Sequence, residues 1–262
     1  MNKVDSSGPE RWSDRLEISL SGAVMRIGLN RPDKRNALDD RAILALEACL
    51  VATPDQVRAI ILHGVGAHFS AGLDLSELTT RDTAAGLKHS RMWHRVFEAI
   101  QFGTVPVIAV LKGAVIGGGL ELACAAHIRV AEPDAFYALP EGQRGIFVGG
   151  GGSVRLPRLI GAARMADMML TGRTYSAAEG NPLGFSQYCV EAGQGLAKAE
   201  ELAARIVQNT PMTTFAVLQA LPRIADADPQ TGLLLESLMA TVAQSDKEAK
   251  RRLQAFLDKK AG

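Results

Sequence analysis

Cysteine is scarce in this chain. Its 262 residues hold only Cys49, Cys124 and Cys189, and no Cys-x-x-Cys pair. An odd, scattered set excludes a disulfide framework and fits a reducing compartment, so a cytoplasmic protein is expected. An excess of one charge is lacking too, the formal net charge being +1. That balance exerts no overall pull on nucleic acid or an anionic membrane, and neither is expected as a partner. The five histidines form no i, i+4 pair and no His-Glu-x-x-His run, so no metal is expected. No Gly-Lys-Ser/Thr triplet is present, and Leu122 and Val154 stand where a dinucleotide fingerprint needs its third glycine. Long unbroken apolar runs are also missing. Residues 105–131 come nearest, but Lys112, Glu121 and Arg129 interrupt them and three glycines split them. They read as a buried strand, a turn and a helix rather than a membrane span. Residues 1–14 are polar and lack the apolar segment of a secretory signal, so they read as a flexible leader.

Glycine, by contrast, is plentiful: 26 residues, seven of them in two runs at 117–119 and 149–152. The chain is long enough to bury about 70–75% of its unfolded surface without disulfide or metal staples. Residues 15–20 and 24–29 read as a hairpin turning at Ser21-Gly22. Asp39 or Asp40 can cap a helix with the stripe Ile43, Leu46, Leu50 and Val51. Residues 57–63 and 105–111 read as buried strands. Between them Trp93, Val96, Phe97 and Ile100 mark a helix that ends before Gly103. A helix at 120–126, short strands at 128–130 and 136–139, and helices at 154–160 and 162–170 follow. Such alternation predicts an α/β fold with parallel strands and helical crossovers. The expected organisation is the leader at 1–14, an α/β core at 15–195 and a helical region at 196–262.

Three segments carry chemistry. In the first, Gly117-Gly118-Gly119 precedes Leu120-Glu121-Leu122-Ala123. Glycines at a helix start let a ligand approach free N–H groups at the positive end of the helix dipole, which suits a phosphate or an oxyanion. Glu121 is either a first-turn residue favouring that dipole or an acid/base carboxylate in an apolar site. In the second, His68-Phe69-Ser70-Ala71-Gly72-Leu73-Asp74 follows a buried strand, where ligand-facing loops of α/β folds lie. Its Ser70 approaches a serine nucleophile elbow, but His68 stands in place of the first glycine. In the third, Leu139-Pro140-Glu141 closes a short strand ahead of Gly145 and the four-glycine run.

Taken together, these segments resemble the crotonase superfamily, the enoyl-CoA hydratase/isomerase family. Leu29-Asn30-Arg31-Pro32-Asp33-Lys34-Arg35-Asn36-Ala37-Leu38 resembles its early CoA-binding segment. Residues 68–75 and 117–123 resemble its two oxyanion loops, and 139–156 the segment bearing a second carboxylate. The resemblance implies a spiral of repeated ββα units with a C-terminal helical region that builds homotrimers, often paired into hexamers. It implies an acyl-CoA thioester substrate, with CoA belonging to the substrate and no resident cofactor. By position, the N–H groups of Ala71 and Gly118 are expected to form an oxyanion hole. Glu121 and Glu141 are the expected catalytic pair, Glu121 activating water and Glu141 supplying the proton at C2. Arg31, Lys34, Arg35, Ala37, Leu38, Gly72, Leu73, Asp74, Leu75, Gly117 and Leu139 are expected to bind CoA or substrate. Phe256 and Lys259 resemble a tail that meets CoA from a neighbouring subunit.

The chain departs from the family pattern at Gly142-Gln143-Arg144, at Val148 and at residues 181–186, near the acyl pocket or its support. Trp93, Phe97 and Phe147 are candidates to line a pocket for a bulky acyl group, though Trp93 and Phe97 at helical spacing also suit the core. Two carboxylates point to hydration of a trans-2-enoyl-CoA. A double-bond isomerase or an aromatic enoyl-CoA hydratase/lyase on the same scaffold stays open, as does a non-catalytic binding protein. The four-glycine run is expected to be a close-packed structural loop behind Glu141.

Overall fold

In the computed structural model, which describes residues 14–77 and 81–260, strands and helices alternate as far as Cys189 and helices follow from Gly195. Residues 1–13 of the expected leader lie outside the described residues. The hairpin forms from β1 (Leu16–Ser21) and β2 (Val24–Leu29), paired antiparallel with Ser21 opposite Val24. Asp39, not Asp40, caps α1 (Asp40–Val51), its side chain accepting from the Ala42 N–H. The chain then runs through β3 (Ala59–Gly64) into α2 (Thr83–Gln101) and β4 (Val107–Leu111). A strand that the sequence reading missed follows at once, β5 (Ala114–Ile116), and leads into α3 (Gly118–Ala125). The helix therefore starts two residues before the expected position, and two glycines of the run are helical. Next come β6 (Ile128–Ala131), β7 (Phe136–Ala138), α4 (Gly152–Ile160) and α5 (Ala162–Thr171). The short β8 (Tyr175–Ser176), α6 (Ala177–Gly180) and β9 (Tyr188–Cys189) close the alternating part.

Six strands form one sheet in the order β1-β2-β3-β4-β6-β9, parallel from β2 onward. A second sheet has the order β5-β7-β8, and single bridges Leu38–Leu73 and Ser70–Val115 extend its layer. Each turn of the chain thus gives one strand to the first sheet, a short extended segment to the second layer, and then a helix. This is a spiral of ββα units. It places the loop at 68–74 and the starts of α2 and α3 at the same end of the layers.

The near-continuous apolar runs of β3 and β4 arise because the parallel sheet is covered on both faces. Ile60, Leu62, Val107, Ala109 and Leu111 enter the main core with α1, α2 and α3. Ala59, Ile61, Ile108, Val110 and Val130 face Ala199, Leu202 and Ala203 of α7 (Gly195–Val207). The first helix of the C-terminal region is therefore part of the core rather than an appendage. Beyond it lie α8 (Pro211–Phe215), α9 (Leu221–Asp226), α10 (Pro229–Ser245) and α11 (Lys247–Lys260). These expose Leu233, Leu234, Leu238, Leu253, Phe256 and Leu257. No helix among the described residues is long and apolar enough to cross a membrane.

Candidate active site

Two backbone loops meet at the start of α3. The Ser70 N–H donates to the Ala114 carbonyl at 2.9 Å and the Ile116 N–H donates back to the Ser70 carbonyl at 3.0 Å. This zips the 68–74 loop onto β5. Gly72, at φ +84°, then lies so close that a Cβ there would sit 2.5 Å from the Ile116 oxygen and 2.9 Å from the Gly118 nitrogen. A Cβ on Gly118 would sit 2.6 Å from the Trp93 ring and 3.3 Å from the Leu73 nitrogen. Glycine at both positions is what brings the Leu73 and Gly118 N–H groups together.

The expected oxyanion donor Ala71 is corrected here. Its N–H donates to the Arg35 carbonyl at 2.9 Å and is spent on holding two loops together. Leu73, read from sequence only as a substrate contact, has the open N–H instead. Its neighbours make the bridge to Leu38: Gly72 accepts from the Leu38 N–H at 2.8 Å, and Asp74 donates to the Leu38 carbonyl at 2.9 Å. Leu73's own N–H therefore faces the other way, and neither it nor the Gly118 N–H donates to an acceptor among the described residues. No sequence signal separates the two, since they lie two positions apart and it is the pairing of the loop to Arg35 and Leu38 that decides which N–H is spent and which is open.

Glu121 is 3% exposed in the first turn of α3. Its Oε1 accepts from the Gly150 N–H at 2.8 Å and the Gly152 N–H at 2.7 Å. The four-glycine run is thus a carboxylate clamp on Glu121, which corrects its reading as a passive loop behind Glu141. A Cβ on Gly152 would lie 2.7 Å from Glu121 Cγ and 2.9 Å from its Oε1, so only glycine leaves room for the clamp. Burial pushes the Glu121 carboxyl up, and the glycine N–H groups with the Arg155 charge oppose that.

Glu141 is set against Gly117, where a Cβ would sit 2.5 Å from its Oε1. Its Oε2 is buried and has no hydrogen-bond partner among the described residues. Burial, followed by the nearby Glu121 charge, pushes its carboxyl up to about 7, against the pull of its own N–H and of Arg144. Both carboxylates line one cavity of about 400 Å³, together with Leu73, Gly117, Gly118 and Trp93.

The expected CoA-binding residues divide. Leu73, Leu75 and Gly117 line the cavity, whereas Leu38 and Leu139 are core residues, 2% and 1% exposed. Lys34 and Arg35 stand exposed on the preceding turn. Arg31 is internally committed: it donates to the Ala37 carbonyl at 2.9 Å and pairs with Asp74 at 3.0 Å and Asp39 at 3.2 Å. Ser76, then Arg31, holds the Asp74 carboxyl below its usual range. Arg31, Ala37 and Asp74 thus form a strut between loops rather than a free phosphate site, and Gly72 contributes backbone packing. The Lys259 side chain lies outside the described residues, and Phe256 is exposed on α11.

Ser70 is no nucleophile. Its hydroxyl donates to the Asn36 carbonyl at 2.8 Å and accepts from the Gly72 N–H at 3.1 Å, while His68 Nδ1 accepts from the Ala114 N–H. Trp93 and Phe147 line the cavity; Phe97 is fully buried behind Trp93, edge-on at 5.5 Å. Sequence reasoning missed His89 and Ser90 on the wall, which sit one turn N-terminal to Trp93 on the same helix. No group of three His, Cys, Asp or Glu that could hold a metal occurs among the described residues.

A ββα spiral with two open N–H groups at the meeting of its loops, beside paired glutamates, defines a crotonase-fold protein. The family model described as Enoyl-CoA hydratase/isomerase matches residues 19–262, and the chain belongs to that family. It is 36% identical over 249 residues to "Probable enoyl-CoA hydratase" of Bacillus subtilis (strain 168), covering 94% of this chain and 96% of that one. It is 31% identical to "2,3-dehydroadipyl-CoA hydratase" of Escherichia coli (strain K12), with 94% and 96% covered. A crystal structure from Rhodopseudomonas palustris CGA009, provisionally named an enoyl-CoA hydratase, matches with TM-score 0.92 at 70% identity, covering 94% and 96%. An acyl-CoA substrate is consistent with this membership.

Proposed function

We propose that the protein hydrates a trans-2-enoyl-CoA to the 3-hydroxyacyl-CoA. The observation that carries this reading is the unequal dressing of two glutamates in one cavity. Glu121 is held by two N–H donors, an arrangement that favours an ionised carboxylate. Glu141 has an unpartnered oxygen and a carboxyl raised to about 7, which suits an acid that still holds its proton. Glu121 takes a proton from water as its oxygen bonds to C3. The π electrons move toward the thioester, and the Leu73 and Gly118 N–H groups hold the charge that develops on its oxygen. Glu141 then gives its proton to C2. Proton exchange through solvent resets the pair, which titrates as a coupled unit. Lys34 and Arg35 supply exposed positive charge for the CoA phosphates. The apolar residues exposed on α10 and α11 support a homo-oligomer, checked by light scattering.

Glu121→Gln and Glu141→Gln should each lower hydration of crotonyl-CoA, followed by loss of the enoyl-thioester absorbance, by roughly 100- to 10,000-fold while the fold is kept. Near-full hydration by either variant would overturn the assignment. Full isomerase activity in Glu121→Gln would move the protein to the one-carboxylate reaction.

A further inference from the structure

The clamp on Glu121 poses a question of its own, because residues 149–152 have no side chains with which to fix their conformation. Side chains from outside the run reach its carbonyls. Ser90 Oγ donates to the Gly149 carbonyl at 2.7 Å from an exposed position. Arg155 Nη1 donates to the Gly150 carbonyl at 3.0 Å from a buried one. Arg155 sits on the first turn of α4, its own N–H bonded to the Gly151 carbonyl at 3.1 Å, and its side chain folds back over the helix start. Its Nε is fixed in turn by Gln101 Oε1 at 2.6 Å, at the end of α2. The fit is tight: Gly151, at φ +95°, would carry a Cβ only 2.3 Å from Nη1.

Arg155 is 8% exposed, and no carboxylate pairs with it directly among the described residues. An unpaired buried guanidinium is costly to the fold, so its retention calls for a purpose. The Gly150 peptide supplies one: its carbonyl is held by Arg155 while its neighbouring N–H groups face Glu121. We propose that Arg155 is a positioning residue for the reaction, orienting the Gly150–Gly152 peptides and setting a positive charge behind Glu121 so that this carboxylate is ionised when substrate arrives. The proposal rests on the hydratase reading for its kinetic consequence, but not for its effect on Glu121. The charged and titratable groups around Glu121 are Arg155 from α4, Cys124 from α3, and Glu141 with Arg144 from the 141–144 turn. Glu98 and His94 of α2 lie around Arg155 itself.

The test uses the full-length protein and the variants Arg155→Met, Arg155→Lys and Gln101→Leu. Arg155→Met should lower kcat for crotonyl-CoA roughly 10- to 100-fold with KM little changed. The acid limb of its pH profile should move to higher pH, because Glu121 becomes harder to ionise. Arg155→Lys, which keeps the charge but not the planar fork, should restore the acid limb while recovering kcat only in part. Gln101→Leu should lower kcat with the acid limb in place, since it loosens the guanidinium without removing its charge, and it serves if Arg155→Met does not fold. Infrared titration of the Glu121 carboxyl, assigned by difference against Glu121→Gln, gives a readout that needs no turnover. An unmoved Glu121 titration in a folded Arg155→Met variant, or a loss confined to KM, would overturn the proposal. Absence of hydration in the unaltered protein would overturn the hydratase reading alone, and the infrared titration would still decide the role of Arg155.

Discussion

Glu121 and Glu141 are the same residue in the same cavity, yet the chain surrounds them in opposite ways. Glu121 stands on a helix, is 3% exposed, and has one oxygen saturated by two peptide N–H groups. Glu141 stands on a short turn after β7, with one oxygen packed against a bare glycine and the other bonded to nothing among the described residues. Burial alone would neutralise both. On the proposed reading, donors directed at one carboxylate and withheld from the other make the first the base and the second the acid. The division is made by backbone, and so by where glycine is allowed.

The largest expected effect comes from breaking the Glu121 side of this contrast. Gly152→Ala places a methyl 2.7 Å from Glu121 Cγ. Either the carboxylate or the loop must move, and hydration should fall roughly 100-fold or more. Gly145 provides the matched change near Glu141. It sits at φ +70° with open space around its Cβ position. Gly145→Ala should therefore cost only about 1–2 kcal/mol of backbone strain, read as a lower Tm, with activity within a few-fold of the original. Equal losses of activity in the two variants would erase the distinction between clamp and turn.

The contrast was only partly legible in the sequence. The alternating architecture could be read because β3 and β4 are long apolar runs bounded by turn residues. Both glutamates could be read because a charge beside glycines in an apolar stretch is conspicuous. Leu73 was legible only as a generic contact. The difference between its N–H and that of Ala71 is one of tertiary pairing, Ala71 to the Arg35 carbonyl and the neighbours of Leu73 to Leu38, and side-chain identity does not record it. Arg31 was expected to bind CoA or substrate because its segment resembles the family's early CoA-binding stretch. Its partners Asp39 and Asp74 lie 8 and 43 positions away and meet it only in the fold. The clamp was hidden for the same reason, since the nearest glycine that binds Glu121 is 29 residues away.

A smaller effect, on stability, follows from the Glu141 side. Its carboxyl titrates near 7 in the folded protein, against 4.5 for an unhindered glutamate. Between those values the folded state holds a proton that the unfolded state has released. Stability should therefore fall as pH rises from 4.5 to 7 and level off above. Glu141→Gln removes that cost. The variant should gain up to about 3 kcal/mol above pH 7 and nothing below pH 4.5, measured by urea unfolding across pH. A uniform gain at every pH would mean that packing, rather than the withheld donors, explains it.

The smallest effect is at Arg144, which lines the cavity mouth and opposes the rise in Glu141's pKa less strongly than burial drives it. In the proposed mechanism Glu141 acts in its protonated form, so the hydration rate should decline along an alkaline limb as that proton is lost. Without the Arg144 charge the proton is held longer, and Arg144→Gln should move the limb to higher pH. The guanidinium is exposed and its field is screened, so the move should be about half a pH unit or less, and raised salt should reproduce it in the unaltered protein. The two arginines then act on opposite limbs: Arg155, buried beside the clamp, governs the acid side, and Arg144, in solvent, trims the alkaline side. A shift of the acid limb in Arg144→Gln would show that one shared field, rather than two separate surroundings, sets the behaviour of the pair.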